Sequence, residues 1–276
     1  PTIRNCRIEN CVSQSAGGGI YSDGAGWLIG VTVANCTSSA DAGGVYMNSG
    51  RLVDCSVSGC SAEGDGAGVY AVASILDACF VKDCANAIDD YMGGGFYADA
   101  CDLVNCVASN NDAGGDGGGV FAKKSSLTNC TLAHNTAVGD GQGVYGNNAL
   151  IRNSIVYANG TGTQIFNYAG TVVEYSDVQG GFTGSHNISS VPPFASNVEP
   201  YDYRLASASM NVGNPDYAPG WDIERKPRYA SPDLGAYEYV GGTLRTVSGQ
   251  VYAGGATNVG VKVWIGKTWT TTDGTG

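Results

Sequence analysis

The chain repeats itself about every 24 residues, and this repeat restricts the fold more than any other feature. A column of aliphatic residues recurs at spacings of 25, 24, 24, 27, 24 and 24 residues. Three further columns, placed three, five and eight residues later, keep the same spacing over seven repeats, which chance does not produce. The four columns are Ile3, Leu28, Leu52, Leu76, Leu103, Leu127, Ile151; Cys6, Val31, Cys55, Cys79, Cys106, Cys130, Ser154; Ile8, Val33, Val57, Val81, Ala108, Leu132, Val156; and Cys11, Cys36, Cys60, Cys84, Asn111, Asn135, Asn159.

A second signature, an aliphatic residue followed by an aromatic one after glycines, runs in step with these columns. Short β-prone pieces alternate with Gly, Asn, Asp and Ser clusters, and no helical period is present. Like residues in columns are typical of stacked parallel strands, about 4.8 Å apart. A wound parallel connection is normally right-handed. We therefore predict an all-β fold, a right-handed parallel β-helix (a solenoid) with three short strands per coil of about 24 residues. The aromatic positions are Tyr21, Tyr46, Tyr70, Tyr97, Phe121 and Tyr145.

Composition and charge exclude several function classes. Hydrophobic residues make up 43% of the chain, too many for a disordered protein, and no apolar run reaches the 18 residues of a membrane span. The net charge is −11, which argues against nucleic acid or anionic lipid as a partner. We expect no nucleic-acid binding and no membrane insertion.

Nine of the ten cysteines fall in the two columns, and only Cys101 lies outside them. Their spacing within a coil is not that of a zinc site, and Val31 replaces one of them. Buried, reduced thiols are the favoured interpretation, and at least one disulfide between neighbouring coils is the alternative. The asparagines that replace cysteines in the later coils predict an internal ladder of amide hydrogen bonds: Asn111, Asn135 and Asn159.

An acidic column lies four residues before the aliphatic residue of the glycine-rich signature, at Asp41, Asp65, Asp116 and Asp140, with Ala16 and Met92 interrupting it. Each carboxylate could bond the backbone of its own glycine turn. Alternatively, the adjacent pairs could bind Ca²⁺ weakly, since carboxylates and loop carbonyls are calcium-type ligands. These four residues are the candidate metal ligands, and no other cofactor is expected.

Catalytic motifs are scarce. The two histidines, His134 and His186, lie in turn-like stretches and are expected to be solvated. The pair Asp89–Asp90 resembles the carboxylates of β-helix glycoside hydrolases, but it lies in the one coil of 27 residues, where an inserted loop is expected. No residue set for a lyase accompanies it, so the sequence leans away from an enzyme.

Beyond the repeats, the chain resembles secreted right-handed parallel β-helix proteins of the pectate-lyase-like superfamily, with repeats related to those of polymorphic outer-membrane proteins. The motifs that carry the resemblance are Gly117-Gly-Gly-Val-Phe121, Leu127-Thr-Asn-Cys-Thr-Leu-Ala-His-Asn135, Tyr175-Ser-Asp-Val-Gln-Gly-Gly181, Tyr203-Arg-Leu205 and Asp233-Leu-Gly-Ala-Tyr-Glu238. In such proteins a C-terminal segment completes and caps the helix. The resemblance covers about residues 1–240. We expect three parts in the chain. The first is the β-helix coils over 1–160, and the second is the last coils with the C-terminal cap over 161–242. The third part, 243–276, resembles the beginning of a carboxypeptidase-regulatory-like, immunoglobulin-like β-sandwich.

Four charged residues of the cap, Asp222, Arg228, Asp233 and Glu238, are interpreted as a structural charge network. The attached sandwich module implies a large secreted or surface protein of the bacterial type. We therefore expect a non-catalytic, extracellular structural or adhesive module, with extracellular polysaccharide or copies of itself as partners. A self-assembling filament subunit and a polysaccharide lyase or glycoside hydrolase are the alternatives. Aromatic and acidic side chains together on one outer face would favour the enzyme.

Overall fold

The computed structural model describes residues 1–240 and four short strands at 252–253, 256–257, 262–265 and 268–271. Pro1–Tyr239 form one compact unit and Val240–Gly276 a second. The first unit is a parallel β-solenoid of about 24 residues per turn, as the repeat predicts. The described residues contain no helix that is both long and apolar enough to cross a membrane.

Four parallel sheets, named A to D here in the order in which a coil visits them, form the sides of the solenoid. Sheet A consists of Thr2–Arg4, Trp27–Ile29, Arg51–Val53, Ile75–Asp77, Asp102–Val104, Ser126–Thr128, Leu150–Arg152 and Val172–Glu174. Sheet B consists of Arg7–Glu9, Thr32–Ala34, Ser56–Ser58, Phe80–Lys82, Val107–Ser109, Thr131–Ala133, Ile155–Tyr157 and Asp177–Val178. Sheet C consists of Val12–Ser13, Thr37–Ser38, Ser61–Ala62, Ala85–Asn86, Asp112–Ala113 and Thr136–Ala137. Sheet D consists of Ile20–Asp23, Val45–Asn48, Val69–Val72, Phe96–Asp99, Val120–Lys123, Val144–Asn147 and Ile165–Ala169.

The pairing register matches the columns of the sequence. In sheet A, Leu52 pairs with Leu28 on one side and with Leu76 on the other. The column extends one coil beyond Ile151, the last position found in the sequence, to Val173. These side chains are fully buried and, with the equivalent columns of sheets B and D, fill the interior. Sheet C differs from the expectation of three strands per coil. Its two-residue strands carry no uniform apolar column, so the repeat gave no sign of a fourth strand.

In most coils, the turn that leads into sheet D places one residue at positive φ, and that residue is glycine except in the second coil, where Ala42 has a φ of +59°. Gly117 has a φ of +73°, and a Cβ on it would lie 2.8 Å from the carbonyl oxygen of Val120. Any side chain there would be strained and would clash with the backbone of the next strand. This explains why the glycine recurs with the repeat rather than at random.

Residues 180–190 form the end of the described coils. The side chain of Asn187 accepts a hydrogen bond from the Ser176 amide at 3.0 Å, and the Ile188 amide donates to the Ser176 carbonyl at 2.9 Å. Phe182 packs against the interior column. The unpaired edge of the last strands is thereby partly covered, which is what such an edge requires.

Residues 191–240, called the strap here, run along the side of the solenoid. They contain the antiparallel strands Phe194–Ser196 and Asp202–Leu205 and a short 3₁₀ helix at Ala208–Met210. A second apolar core joins the strap to the outer face of sheet B, where the outward residues have become apolar. Its buried members are Val107, Ala133, Ile155, Phe194, Tyr203, Leu205, Met210, Leu234 and Ala236.

The second unit contains two antiparallel pairs, Tyr252–Ala253 with Ala256–Thr257 and Lys262–Ile265 with Thr268–Thr271. Antiparallel hairpins are a change from the parallel coils, as the changed sequence pattern indicates. The carboxypeptidase-regulatory-like sandwich predicted over 243–276 otherwise lies outside the described residues.

Candidate functional site

The acidic column lies at the turn before sheet D, where three of its four carboxylates, those of Asp41, Asp65 and Asp116, reach the next coil. One oxygen of Asp41 accepts a hydrogen bond from the Asp65 amide at 2.9 Å, and Asp116 accepts one from the Asp140 amide at 2.7 Å. Asp65 does the same for Met92 at 2.8 Å, across the longer coil. The aspartates therefore bond backbone amides, but those of the following coil rather than those of their own turn.

Burial raises the pKa of Asp65, and the negative charge of Asp41 raises it further, while the hydrogen bond from Met92 opposes both. Nothing in the described part of the chain brings three His, Cys, Asp or Glu side chains together as a metal-binding group. The remaining oxygens of the column could accept a cation, and calcium binding by Asp41 with Asp65 and by Asp116 with Asp140 stays a hypothesis.

An aromatic ladder runs along the outer face of sheet D beside this acidic column. Neighbouring rings stack with centroids 4.5–5.3 Å apart from the first described coil to the last. The order is Tyr21, Tyr46, Tyr70, Tyr97, Phe121, Tyr145 and Phe166. Because each ring lies against the rings above and below it, the ring faces in the middle of the ladder are not open to a ligand.

The cysteine columns are inside the solenoid, and all ten cysteines are free thiols. Eight are buried, whereas Cys6 is exposed and Cys11 is partly exposed in the first coil. Burial raises the pKa of Cys84 and Cys106, which keeps both as uncharged thiols. These two buried thiols fill space in the interior.

The predicted asparagine ladder is confirmed and is longer than expected. Asn111 donates from its side-chain amide to Asn135 at 3.0 Å, and Asn135 donates to Asn159 at 2.8 Å. Asn159 in turn donates to the side chain of Gln164 at 3.0 Å. The ladder ends at Gln164, a residue that lies outside the repeat and that the sequence did not identify.

The four charged residues of the strap form a buried network. Arg228 and Glu238 make an ion pair at 3.1 Å, and Asp222 accepts a hydrogen bond from the Glu238 amide at 3.0 Å. Asp233 accepts one from the Tyr239 amide at 2.6 Å. Arg228 also donates to the side chain of Asn105 on the solenoid at 2.9 Å. The network therefore holds the strap to the flank of the coils.

Electrostatics inside this network are set by burial. Loss of solvent lowers the pKa of Arg228, and the nearby Glu238 and Asp222 carboxylates offset part of this effect. Burial also raises the pKa of Asp233 to about 7. These buried groups bond one another and the strap backbone, and none of them faces an open cleft.

The remaining candidates are two exposed aspartates and the two histidines, one of which is partly buried. Asp89 and Asp90 are exposed in the loop of the longer coil, as expected. His134 differs from the expectation of a solvated ring: it stacks on Tyr201 of the strap at 4.0 Å, and its Nε2 has no hydrogen-bond partner among the described residues. Burial lowers its pKa. His186 is exposed and stacks on Tyr175 at 4.3 Å.

A groove that the sequence did not indicate lies where the strap meets sheet A. Its volume is about 260 Å³, and its walls come from segments far apart in the chain. Trp221 of the strap is 54% exposed beside it, while its carbonyl accepts a hydrogen bond from Asn105 at 2.9 Å. Arg51 lines the groove from sheet A, and its guanidinium lies over the ring of Trp27 at 5.2 Å. The only available signal was the outward position of Trp27 and Arg51 on neighbouring strands.

Comparison with known proteins adds no family to this description. No protein-family model matches the chain, and no curated protein matches it significantly. The class that the structure defines is a parallel β-solenoid with buried asparagine and cysteine stacks and a lateral strap.

Proposed function

We propose that the chain is a non-catalytic, extracellular structural or adhesive module of a larger surface protein. The observation that supports this best is the use of its chemistry-bearing residues. The aspartate column accepts hydrogen bonds from backbone amides of the next coil. Most of the thiols are buried in the interior, and the Arg228–Glu238 ion pair holds the strap. Resemblance of the repeats to secreted β-helix proteins of the pectate-lyase-like superfamily supports the extracellular location.

A polysaccharide-active enzyme is the second candidate, and one observation favours it. The acidic column runs beside the aromatic ladder of sheet D, and aromatic and acidic side chains together on one outer face are the feature expected of such an enzyme. However, the tyrosine rings stack on one another, and Asp41, Asp65 and Asp116 each bond a backbone amide. The ring faces within the ladder are therefore covered, and one oxygen of each of these three carboxylates is occupied, which weighs against their use on a sugar.

Two measurements on one preparation test the proposal. Acidic and neutral polysaccharides are incubated with the purified chain, with Ca²⁺ or with EDTA, and their chain length is measured over time. We expect no change in chain length. Shortened chains or unsaturated ends would overturn the proposal in favour of a hydrolase or a lyase. Electron micrographs test the other alternative, because ordered filaments would show a self-assembling subunit instead of a module.

A further inference from the structure

We propose that the groove between sheet A and the strap binds a glycan that carries carboxylate or sulfate groups. This inference rests on the adhesive function proposed above and assigns it a site. The groove is lined on one side by Arg51, Ile75 and Val104 of sheet A and on the other by Pro219 and Trp221 of the strap. Sheet A provides a rigid floor, because its strands are paired on both sides in these coils.

The anionic part of the ligand follows from the two arginines of the groove. Arg225 is already paired with two carboxylates, Asp54 at 2.6 Å and Asp77 at 3.1 Å, so its positive charge is more than balanced. Arg51 makes no ion pair with any residue in the part of the chain that the structure describes. A guanidinium without a carboxylate partner, held over an indole, has its fork of donors free for a planar anion.

The inference that the ligand contains sugar rings rests on Trp221. Its backbone is fixed, since the carbonyl accepts a hydrogen bond from Asn105 and the residue forms an isolated antiparallel bridge with Pro227, yet more than half of the residue is exposed. A large, rigid, half-exposed aromatic ring that contributes no packing to the strap core is suited to cover the apolar face of a sugar ring. The aromatic ladder of sheet D lacks this property, because its rings cover one another.

The net charge of the chain is −11, so an anionic ligand is repelled by most of the surface and would bind only at the groove. A general attraction of polyanions to the protein surface is excluded by that charge, so binding has to depend on local contacts. Asp77, also in the groove, shares Arg225 with Asp54, so one negative charge is left over there, and Arg51 has to offset it before an anion can bind. Weak, salt-sensitive binding that depends on Arg51 is therefore the expected behaviour.

Titration calorimetry with three oligosaccharides tests the inference. An alginate oligosaccharide carries carboxylates, a heparin oligosaccharide adds sulfates, and a cello-oligosaccharide is neutral. We expect one or both anionic ligands to bind, and Arg51→Gln and Trp221→Ala each to weaken binding about tenfold or more. Trp221→Phe should restore most of the affinity lost in Trp221→Ala, because the ring face is kept.

Two matched variants serve as controls. Lys124→Gln removes one positive charge from an exposed turn, and Tyr168→Ala removes a ring that is 63% exposed on sheet D. Neither should change the affinity. The inference is overturned if no anionic oligosaccharide binds, if the neutral one binds equally well, or if the controls weaken binding as much as the groove variants. Such a failure leaves the chain-length test of the non-catalytic role unaffected.

Discussion

The guanidinium of Arg228 lies 3.1 Å from the carboxylate of Glu238, with side chains only 2% and 0% exposed. Ion pairs so fully removed from water are uncommon, because each charge loses its hydration. Here the cost is offset by further hydrogen bonds, from Arg228 to Asn105 and from the Asp233 amide to Glu238. The pair thus fixes the position of the strap on the coils, and with it the wall of the groove.

Glu238→Gln should strongly destabilise the strap, because it removes the carboxylate that forms the ion pair with the buried Arg228 charge. We expect a loss of about 3–5 kcal/mol in the free energy of unfolding, measured in urea, and faster proteolysis within 191–240. The control is Arg204→Gln, which removes exposed ion pairs to Asp202 and Glu224 and should cost less than about 1 kcal/mol. Equal losses for the two variants would contradict the structural role of the network.

Stability should depend on pH through Asp233, whose pKa burial raises to about 7 from an ordinary value of 3.8. The folded chain holds this proton more tightly than the unfolded chain does. Stability from this group is therefore full at low pH and is lost as the pH rises from about 4 to about 7. Asp233→Asn should remove that loss, so its stability relative to wild type rises across the window. Parallel stability curves for the two proteins would show that the carboxyl group titrates normally.

Asn135 should contribute strongly to the stability of the solenoid interior. Its amide donates to Asn159 and to the Ala108 carbonyl, and it accepts a hydrogen bond from the Asn111 backbone. We expect Asn135→Ala to cost about 2–4 kcal/mol in urea unfolding, because several buried polar groups lose their partners. Asn48→Ala, which removes a surface bond to Asp23, should cost less than about 1 kcal/mol. A small effect at Asn135 would mean that water replaces the amide inside the coil.

The contribution of the aspartate column to stability should depend on its hydrogen-bond-accepting oxygen and not on its negative charge. Asp116→Ala removes the oxygen that the Asp140 amide bonds and should lower the melting temperature, whereas Asp116→Asn keeps that oxygen and should leave it nearly unchanged. Millimolar Ca²⁺ or EDTA should have no effect in any of the three proteins. A rise with Ca²⁺ that Asp116→Asn abolishes would instead establish the pair as a calcium site.

The coils were predictable because their contacts repeat. Leu52 contacts Leu28 and Leu76 at one coil's distance in sequence, so the spacing of like residues already contains the pairing register. The same reasoning located Asn111, Asn135 and Asn159 inside a single column. Position in a stack was enough to predict both the burial and the hydrogen bonds of these residues.

The position of the strap on the coils and the groove beside it were not predictable, because their contacts occur only once. The hydrogen bond from Asn105 to the Trp221 carbonyl joins residues 116 positions apart, and no spacing in the chain encodes it. One signal was present: outward positions of sheet B are polar at Ser56 and Ser58 but apolar at Val107 and Ile155. An apolar outer face needs a cover, and this change marks where the strap lies.

The measurement that tests the central claim most directly is the fate of an acidic polysaccharide on prolonged incubation with the purified chain, followed by both binding and chain length. The account predicts that the polysaccharide is retained by the protein, that Arg51→Gln reduces this retention, and that the chain length stays constant. Progressive shortening of the polysaccharide would contradict the account and make the β-solenoid an enzyme.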